Sequence, residues 1–303
     1  MPERVILENP LAPGDILMSS GAIRDLHKAY PGEYLTDIRV PTGAEQIFQH
    51  SPYITQIDEK GVVDRRIRLS YEDIHQSGWS GRPFSQAYHL DLAKAIGRPI
   101  PPTACRPDIF LSQDETLWPS PVLLSEGYEG AYWIINAGVK NDYTLKYYHR
   151  YQEVVDLLKG KVQFVQVGQM AHNHTKLEGA IDMRGKTDIR ALFRLSWHAH
   201  GAVSPVSFQM VIMGAMEKPC VVVSGAREPI RWQHFPNHRF LALNGSMSCA
   251  KWDGCWKNTI KDCVKPVDVA GTKAPLCLEM IRPEDIARAI ESYYIGGALK
   301  KGD

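Results

Sequence analysis

Short apolar runs alternate with helical patterns along most of the chain, and this alternation constrains the fold more than any other feature. The apolar run at 4–10 is followed by a turn, a helical pattern over 16–30 and a second apolar run at 36–40. The same alternation restarts at residue 132 and continues to residue 243. Strands that alternate with helices predict parallel sheets with helices on both faces. We therefore expect the α/β fold class, with a doubly wound second half.

The length of the chain predicts two compact domains. Its 303 residues are about twice the usual domain size of ~100 to 150 residues. Prolines interrupt the segment between the two alternating regions, and we predict an interdomain linker over 111–129. The first domain is then expected over 1–120 and the second over 121–303. Further expected elements are a helix over 44–50, a third strand at 54–58, a helix over 85–96 and a terminal helix over 282–294.

The charge and hydropathy of the chain disfavour some classes of function. Thirty-five Lys and Arg residues against 34 Asp and Glu residues give a formal net charge of +1, which provides no overall attraction for nucleic acid or an anionic membrane. The longest apolar stretches, 208–216 and 220–223, are shorter than the ~20 residues that span a bilayer. The first ten residues also lack a cationic and then apolar leader. We expect a soluble, cytoplasmic protein with no membrane span.

Ligands of open α/β sheets collect at the carboxyl ends of the strands, so the loops after the strands are the first candidates for a site. Neither G-x-G-x-x-G nor G-x-x-x-x-G-K-[ST] is present, which disfavours an ordinary NAD enzyme or a P-loop ATPase. The first loop, LAPGD, places Gly14 and Asp15 at the start of a helix. Asp15 is either a helix cap or a general base that takes a proton from an attacking hydroxyl.

A second loop, in the second half of the chain, combines cations with a predicted helix start. Lys140, Thr144 and Lys146 lie just before the helical pattern at 148–158. Free N–H groups and the helix dipole favour an anion at such a position, so the added lysines predict a diphosphate site. The alternative is a solvated surface loop, because runs of charge usually face water.

Four of the six cysteines fall within one segment that is rich in Gly, Lys and Trp, and they are Cys249, Cys255, Cys263 and Cys277. In a chain without a leader, such a cluster indicates a metal site or reactive thiols before disulfides. Four thiolates satisfy a tetrahedral ion, and closing the segment around a metal would order a region with few apolar residues. The softness of the ligands suits zinc as well as iron. Free or paired cysteines are the alternative, because the spacing is not a pair of C-x-x-C motifs.

The motifs of both halves resemble one family. PGDILMSSGAIRDLHKAYPG at 13–32 is similar to the opening of glycosyltransferase family 9, the ADP-heptose heptosyltransferases. LKYYHRYQEVVDLL at 145–158 resembles the lysine and aromatic pair that opens a helix in that family, and the stretch 179–232 follows its donor-domain core. The resemblance covers most of the chain in order. It implies a GT-B fold, with two facing Rossmann-like domains, an acceptor domain first and a nucleotide-sugar donor domain second.

Position by position, the resemblance implies that Asp15 is the catalytic base and that Lys146 contacts the donor phosphate. The other residues expected to bind the donor are Gly14, Thr144, Ser207, Gly225 and Arg227. Glu228 follows Arg227, and either could contact the nucleotide or its ribose. The family's Asp-Ser-Gly motif and following His correspond here to Val206-Ser207-Phe208 and Val211, so only the serine is retained.

The cysteine segment resembles a branch of the same family. CAKWDGCWKNTIKDC at 249–263, followed by CLEMIRPEDIARAI at 277–290, is similar to the bacterial autotransporter heptosyltransferases, whose carboxyl-terminal region carries an iron-binding four-cysteine finger. The resemblance implies a metal finger over 249–277 with one structural ion, Fe or Zn, ahead of the terminal helix. It implies no catalytic divalent metal.

These expectations combine into one hypothesis about function. The protein would transfer a sugar, heptose or similar, from a nucleotide-diphosphate donor, with an ADP-sugar favoured, to an acceptor hydroxyl. The acceptor could belong to a saccharide, a protein or a modified nucleobase, and self-association into a homo-oligomer is left open. One alternative is a GT-B enzyme with a different donor that acts on a protein or a hydroxylated DNA base. Another is a non-catalytic metal-bound scaffold, which the missing Asp and His favour.

Overall fold

A computed structural model describes residues 1–58, 60–71, 82–140, 144–172, 174–251, 254–255, 262–269 and 271–294. The chain forms two compact units. The first unit is Met1–Trp118 with Arg231–Phe235, and the second is Pro119–Ile230 with Pro236–Asp303. The assignment of an acceptor domain to 1–120 and a donor domain to 121–303 stays a prediction.

The first unit contains a three-stranded parallel sheet. Its central strand is β1 (Glu3–Glu8), which pairs with β2 (Tyr34–Arg39) on one side and β3 (Arg65–Arg68) on the other. Two helices, α1 (Pro13–Ala29) and α2 (Ala87–Ile96), pack against each other in the same unit. Pro13 suits the first turn of α1 because its fixed φ is already helical and its missing N–H needs no partner.

The strand that the sequence predicts at 54–58 is wrong, because this segment forms no ladder of backbone hydrogen bonds. Thr55 N–H donates to the backbone carbonyl of Thr36 (2.8 Å), but Ile57 N–H donates to the carboxylate of Asp37 (2.8 Å). The helix expected over 44–50 is a short 3-10 helix, Ala44–Phe48.

A buried polar network joins α1, α2 and the segment 103–108 in the first unit. Asp25 is fully buried and accepts hydrogen bonds from Arg24 Nε (2.8 Å), His89 Nε2 (2.8 Å) and the N–H and hydroxyl of Thr103. Arg24 also binds both carboxylate oxygens of Asp108 at 2.9 Å. Burial acts to raise the pKa of Asp25, but the hydrogen bonds from His89, Arg24 and Thr103 outweigh it and lower that pKa.

The second unit is built on a six-stranded, all-parallel sheet with the strand order β6-β5-β4-β7-β8-β9. The strands are β4 (Tyr132–Ile135), β5 (Gln163–Gln166), β6 (Ile181–Asp182), β7 (Gly201–Ser204), β8 (Cys220–Gly225) and β9 (His238–Ala242). The chain proceeds outward from β4 to β6, returns to the other side of β4 and proceeds outward again to β9. The predicted α/β class with parallel sheets is confirmed.

Helices and one hairpin complete the second unit. The helices are α4 (Pro121–Glu126), α5 (Tyr151–Leu157), α6 (Ile189–His198), α7 (Phe208–Ala215), α9 (Leu276–Glu279) and α10 (Pro283–Glu291). An antiparallel hairpin, which the sequence analysis did not predict, pairs β10 (Pro266–Val269) with β11 (Thr272–Pro275). The terminal helix α10 is shorter than predicted and packs on α5.

The predicted linker at 111–129 contains two short helices, α3 (Gln113–Leu117) and α4. α3 begins with a capping box between Ser112 and Glu115, and α4 begins with the Ser120 hydroxyl as its cap and Pro121 in its first turn. A further short helix, α8 (Ile230–Gln233), follows β8. Among the described residues, no helix has the length and apolar character needed to cross a membrane.

Replacing Asp25 with Asn tests the buried network. Removing one partner of a buried charged network costs ~3 kcal/mol or more, so we expect a loss of that size in the free energy of unfolding at pH 7. Because folding lowers the pKa of Asp25, its carboxylate stabilises the fold above the ordinary value of about 4, and this contribution is lost as the pH falls further. The difference between wild type and Asp25→Asn in urea unfolding should therefore stay constant from pH 7 to about pH 4 and shrink as the pH falls below about 4.

The control for this prediction is Glu33→Gln. Glu33 forms an ion pair with Arg98 in which both side chains are exposed, so its loss should leave the unfolding midpoint nearly unchanged. An Asp25→Asn variant as stable as the Glu33→Gln control would contradict the stabilising role of the network.

Candidate functional site

The second sheet contains a point where the chain reverses its direction of travel, between β4 and β7. In open α/β sheets, ligands bind at such a point, outside the carboxyl ends of the strands. The segments that leave β4, β7 and β8 here carry most of the residues that the sequence predicts to bind a donor. These are Lys146, Ser207, Gly225 and Arg227.

Lys146 connects the three segments. It ends a 3-10 helix at Thr144–Lys146, and its side chain is 20% exposed. Its Nζ donates a hydrogen bond to the backbone carbonyl of Val206 after β7 (3.2 Å) and lies 2.7 Å from Oε1 of Glu228 after β8. The Lys146 side chain is therefore fixed by two partners at the edge of the sheet and is not a solvated surface side chain. The side chain of Thr144 lies outside the described part of the structure.

Glu228 is the acidic partner of this cation. Its side chain is 4% exposed, and Oε1 accepts hydrogen bonds from both Lys146 and Arg227. Burial acts to raise the pKa of Glu228, but the charges of Lys146 and Arg227 outweigh it and hold that pKa below its ordinary value. The sequence analysis named Glu228 only as a possible contact of the nucleotide or its ribose, and it did not show that Lys146 and Glu228 meet.

Ser207 lies at the amino end of α7 and makes its contacts within the sheet edge. Its hydroxyl is 2.7 Å from the Ser204 hydroxyl and accepts a hydrogen bond from the Asn136 side-chain amide (3.2 Å). Asn136 directly follows β4, and its Oδ1 is buried without a hydrogen-bond partner in the described structure. Sequence reasoning missed Asn136, although it is the first polar residue after four apolar ones.

The positions where the family motif departs from this chain carry apolar side chains, and two of the three are buried. Val206 is 7% exposed and Val211 is 5% exposed. Phe208 lies beside Phe193, with ring centroids 6.1 Å apart. All three side chains are apolar, so none of them can supply the carboxylate or imidazole that the motif has in the family.

Gly225 ends β8 with φ +60°, a left-handed conformation that favours glycine. A Cβ at this position would lie 2.9 Å from the Leu278 side chain and 3.1 Å from Cys277 Sγ. The backbone conformation and this close packing are sufficient reasons for a glycine here. The predicted contact of Gly225 with a donor stays a prediction.

Asp15 and Gly14 belong to the first unit, where they follow β1. Asp15 lies in the first turn of α1 and is half-buried, and the cap residue is Ala12, with no side-chain cap. Asp15 is therefore not the helix-capping residue that one interpretation of the sequence offered. Tyr88 is fully buried and interacts electrostatically with Asp15. Burial first, and then the charge of Asp15, raise the pKa of the Tyr88 hydroxyl well above its ordinary value.

All four clustered cysteines border one small cavity of about 20 Å³. Cys249, Cys255, Cys263 and Cys277 are free thiols, so the alternative of paired cysteines is wrong. Burial raises the pKa of Cys277 to about 11. Within the described ranges, no group of Cys, His, Asp or Glu has a geometry that could hold a metal ion. The metal finger at 249–277 is therefore not confirmed and stays a prediction.

The cysteine cavity adjoins the loops that carry Lys146 and Glu228. Leu145, Ala226 and Arg227 line the cavity together with the thiols. Cys255 N–H donates to the carbonyl of Ala226 (3.2 Å). Gly254 has φ +72°, and a Cβ there would lie 2.1 Å from the Arg227 carbonyl oxygen. The cysteine segment thus packs directly on the backbone that presents Glu228.

Solved structures with the same fold cover nearly the whole chain. A glycosyl transferase family 9 protein from Veillonella parvula DSM 2008 has a TM-score of 0.70 at 14% identity over 96% of both chains. ADP-heptose LPS heptosyltransferase II of E. coli has a TM-score of 0.63 at 13% identity, over 98% of this chain and all of that one. The iron-containing dodecameric glycosyltransferase TibC from enterotoxigenic E. coli H10407 has a TM-score of 0.68 at 16% identity, over 98% of this chain and 79% of that one.

No protein-family model and no curated protein sequence matches the chain. At these identities, the solved structures establish the fold. The similarity that the sequence motifs predict is confirmed at that level, and the chain has the α/β fold of the family 9 glycosyltransferases.

Proposed function

We propose that the protein is a glycosyltransferase that moves a sugar from a nucleotide-diphosphate donor to an acceptor hydroxyl. The observation that carries this proposal is the position of Lys146, whose charged side chain is fixed by Glu228 at the point where the strand order of the second sheet reverses. The fold is shared with heptosyltransferases. An ADP-sugar, with heptose or a similar sugar, is the favoured donor because one similar structure is named for ADP-heptose and TibC has been solved in complex with ADP-D-β-D-heptose. Assembly into a homo-oligomer stays a prediction.

On the donor side, the groups at the sheet edge suit a leaving diphosphate. Lys146 supplies a positive charge that remains partly accessible, and α7 begins beside it at Ser207 without a side-chain cap. The unbonded N–H groups of a helix start attract phosphate oxygens. Such groups, already in place, would stabilise the negative charge that grows on the diphosphate as its bond to the sugar breaks.

On the acceptor side, Asp15 is the proposed general base. Its carboxylate would take the proton of the acceptor hydroxyl, while the acceptor oxygen forms the new bond to the anomeric carbon. The bond between that carbon and the diphosphate oxygen breaks, and the diphosphate departs with the electron pair. Asp15 is half-buried at the carboxyl end of β1, where ligands of α/β sheets bind, and this placement supports the role.

The proposal includes a structural metal, Fe or Zn, held by Cys249, Cys255, Cys263 and Cys277. Two observations support it, namely that all four thiols border one cavity and that none of them is in a disulfide. A four-thiolate set suits either ion, and TibC is described as iron-containing. The metal would fix the cysteine segment against Ala226 and Arg227 and would take no part in the reaction.

Asp15→Ala tests the proposed base. We expect the rate of transfer to fall ~100-fold or more, because a positioned base contributes at least that factor, while the affinity for ADP should stay within about twofold of wild type. Release of ADP from ADP-heptose in the presence of acceptor extracts gives the rate, and calorimetry gives the affinity. The matched control is Glu45→Gln, an exposed acid of the same unit. Full transfer by Asp15→Ala would refute the mechanism.

Lys146→Ala tests the proposed diphosphate contact. A hydrogen bond to a charged group contributes ~1.5 to 3 kcal/mol, so the dissociation constant for ADP should rise ~10-fold or more. Lys176→Ala provides the control, because Lys176 is an exposed lysine of the same unit. Equal affinities of the two variants for ADP would argue against a donor site at Lys146, provided that their melting temperatures agree.

Metal analysis tests the cysteine site. We expect about one Fe or Zn per chain after purification without chelators, and loss of this metal in Cys263→Ala but not in Cys105→Ala, whose exposed cysteine lies far from the cluster in sequence. Because the cavity borders Ala226 and Arg227, metal loss should also lower the melting temperature and weaken ADP binding. A metal-free protein with four freely reactive thiols would exclude the structural ion.

A further inference from the structure

Two fully buried polar side chains of the first unit lack hydrogen-bond partners among the described residues. Asn9 directly follows β1, and Tyr88 lies in the first turn of α2, which packs on α1. Both residues are 0% exposed. Neither Asn9 Nδ2 nor the Tyr88 hydroxyl makes a hydrogen bond within the described part of the chain. Leaving a buried polar group without a partner is costly, so the presence of two such groups requires a physical reason.

The backbone fixes the orientation of the Asn9 side chain. Asn9 Oδ1 accepts a hydrogen bond from Leu11 N–H at 3.3 Å, which leaves Nδ2 for another partner. Asn9 lies close enough to the Tyr88 hydroxyl to lower its pKa, although the two groups do not complete a hydrogen bond. An amide nitrogen only donates hydrogen bonds. The Tyr88 oxygen is therefore the acceptor of this pair, and the hydroxyl hydrogen needs an acceptor elsewhere.

Asp15 is the acid best placed to accept that hydrogen. Its charge has the largest effect on the Tyr88 hydroxyl after burial, and the charge of Asp91 has a smaller one. Asp91 Oδ2 already accepts hydrogen bonds from the backbone N–H groups of Ser70 (2.8 Å) and Tyr71 (2.6 Å). An ionised carboxylate only accepts hydrogen bonds, so a tyrosine hydroxyl is a suitable donor for Asp15.

Tyr88 can orient a carboxylate but cannot replace it as the base. Burial and the charge of Asp15 keep the pKa of Tyr88 well above its ordinary value, so the hydroxyl is protonated at neutral pH. The Tyr88 ring is fixed edge-on to Tyr71, with centroids 5.5 Å apart, and tilted against Phe84, with centroids 6.2 Å apart. A donor whose rotamer is locked by packing can hold a catalytic group in one orientation.

We propose that Tyr88 is a positioning residue whose hydroxyl donates a hydrogen bond to the Asp15 carboxylate during transfer, while Asn9 Nδ2 donates to the Tyr88 oxygen. The inference rests on the proposed function, in which Asp15 takes the proton of the acceptor hydroxyl. Tyr88 holds one carboxylate oxygen so that the other faces the acceptor, and the Tyr88 proton does not move. Catalytic hydrogen bonds are often long in an unliganded enzyme and shorten when substrate binds.

Tyr88→Phe tests the inference, because it removes the hydroxyl and keeps the ring. With saturating ADP-heptose and a fixed amount of acceptor extract, the rate of ADP release should fall ~10-fold or more. The KM for ADP-heptose should stay within about twofold, because the lost interaction acts on the reaction and not on donor binding. If no extract supports transfer, hydrolysis of ADP-heptose gives the same comparison, with water as the acceptor that Asp15 deprotonates.

Tyr30→Phe is the matched control. It also removes a tyrosine hydroxyl from the first unit, one that donates to the carbonyl of Pro99 at 2.6 Å. We expect this variant to keep the wild-type rate. Asn9→Ala should lower the rate about threefold in wild type, because it removes the donor that orients Tyr88, and should add nothing to Tyr88→Phe.

A second background separates positioning of the base from support of the fold. If Tyr88 acts through Asp15, adding Tyr88→Phe to Asp15→Ala should lower the remaining rate by less than about twofold. An equal loss in the wild-type and Asp15→Ala backgrounds overturns the inference, because the hydroxyl would then act without Asp15. If Tyr88→Phe does not fold, Asn9→Ala in the same two backgrounds decides the matter.

The outcomes also separate the inference from the proposed function. A full rate for Tyr88→Phe together with a slow Asp15→Ala enzyme overturns the role of Tyr88 and leaves the base standing. A full rate for Asp15→Ala removes the base, and the role of Tyr88 with it. Failure of wild type to release any nucleotide from ADP-, GDP-, UDP- or CDP-sugars overturns the proposed function as a whole.

Discussion

The ion pair between Lys146 and Glu228 is the interaction on which the second unit's candidate site depends. A buried carboxylate is stable only when positive charge and hydrogen bonds replace the water that it loses. Lys146 supplies these at 2.7 Å and also binds the backbone after β7, so one side chain fixes the segments that leave three neighbouring strands. The site is thus organised before any ligand arrives, which lowers the cost of ordering it on binding.

The first unit uses the same principle for a different purpose. Asp25 is also a buried carboxylate, but Arg24, His89 and Thr103 donate hydrogen bonds to both of its oxygens. Nothing is left for a ligand, and the network joins helices and a loop into a stable body. Glu228 differs, because its Oε1 accepts from Lys146 and Arg227 while its Oε2 has no hydrogen-bond partner among the residues that the structure describes.

Much of the fold could be predicted from the sequence, because the alternation of apolar strands and helices determines a parallel sheet. The place of Lys146 before a helix made it a candidate, although the sequence left a solvated surface loop open as the alternative. The failures involve contacts between distant residues. The segment 54–58 contains two isoleucines among polar residues, and the Asp37 carboxylate takes the N–H of Ile57 that a ladder would need. The partnership of Lys146 with Glu228, 82 positions apart, leaves no periodic signal.

The close approach of Gly254 to the Arg227 carbonyl couples the cysteine segment to the loop after β8, although the two segments are separate in the sequence. Any side chain at 254 would displace the backbone that presents Glu228, because the added carbon would lie 2.1 Å from that oxygen. A change in the cysteine segment is therefore acceptable only if the loop after β8 can move with it. Among related proteins, the sequences of these two segments should therefore change together or be conserved together.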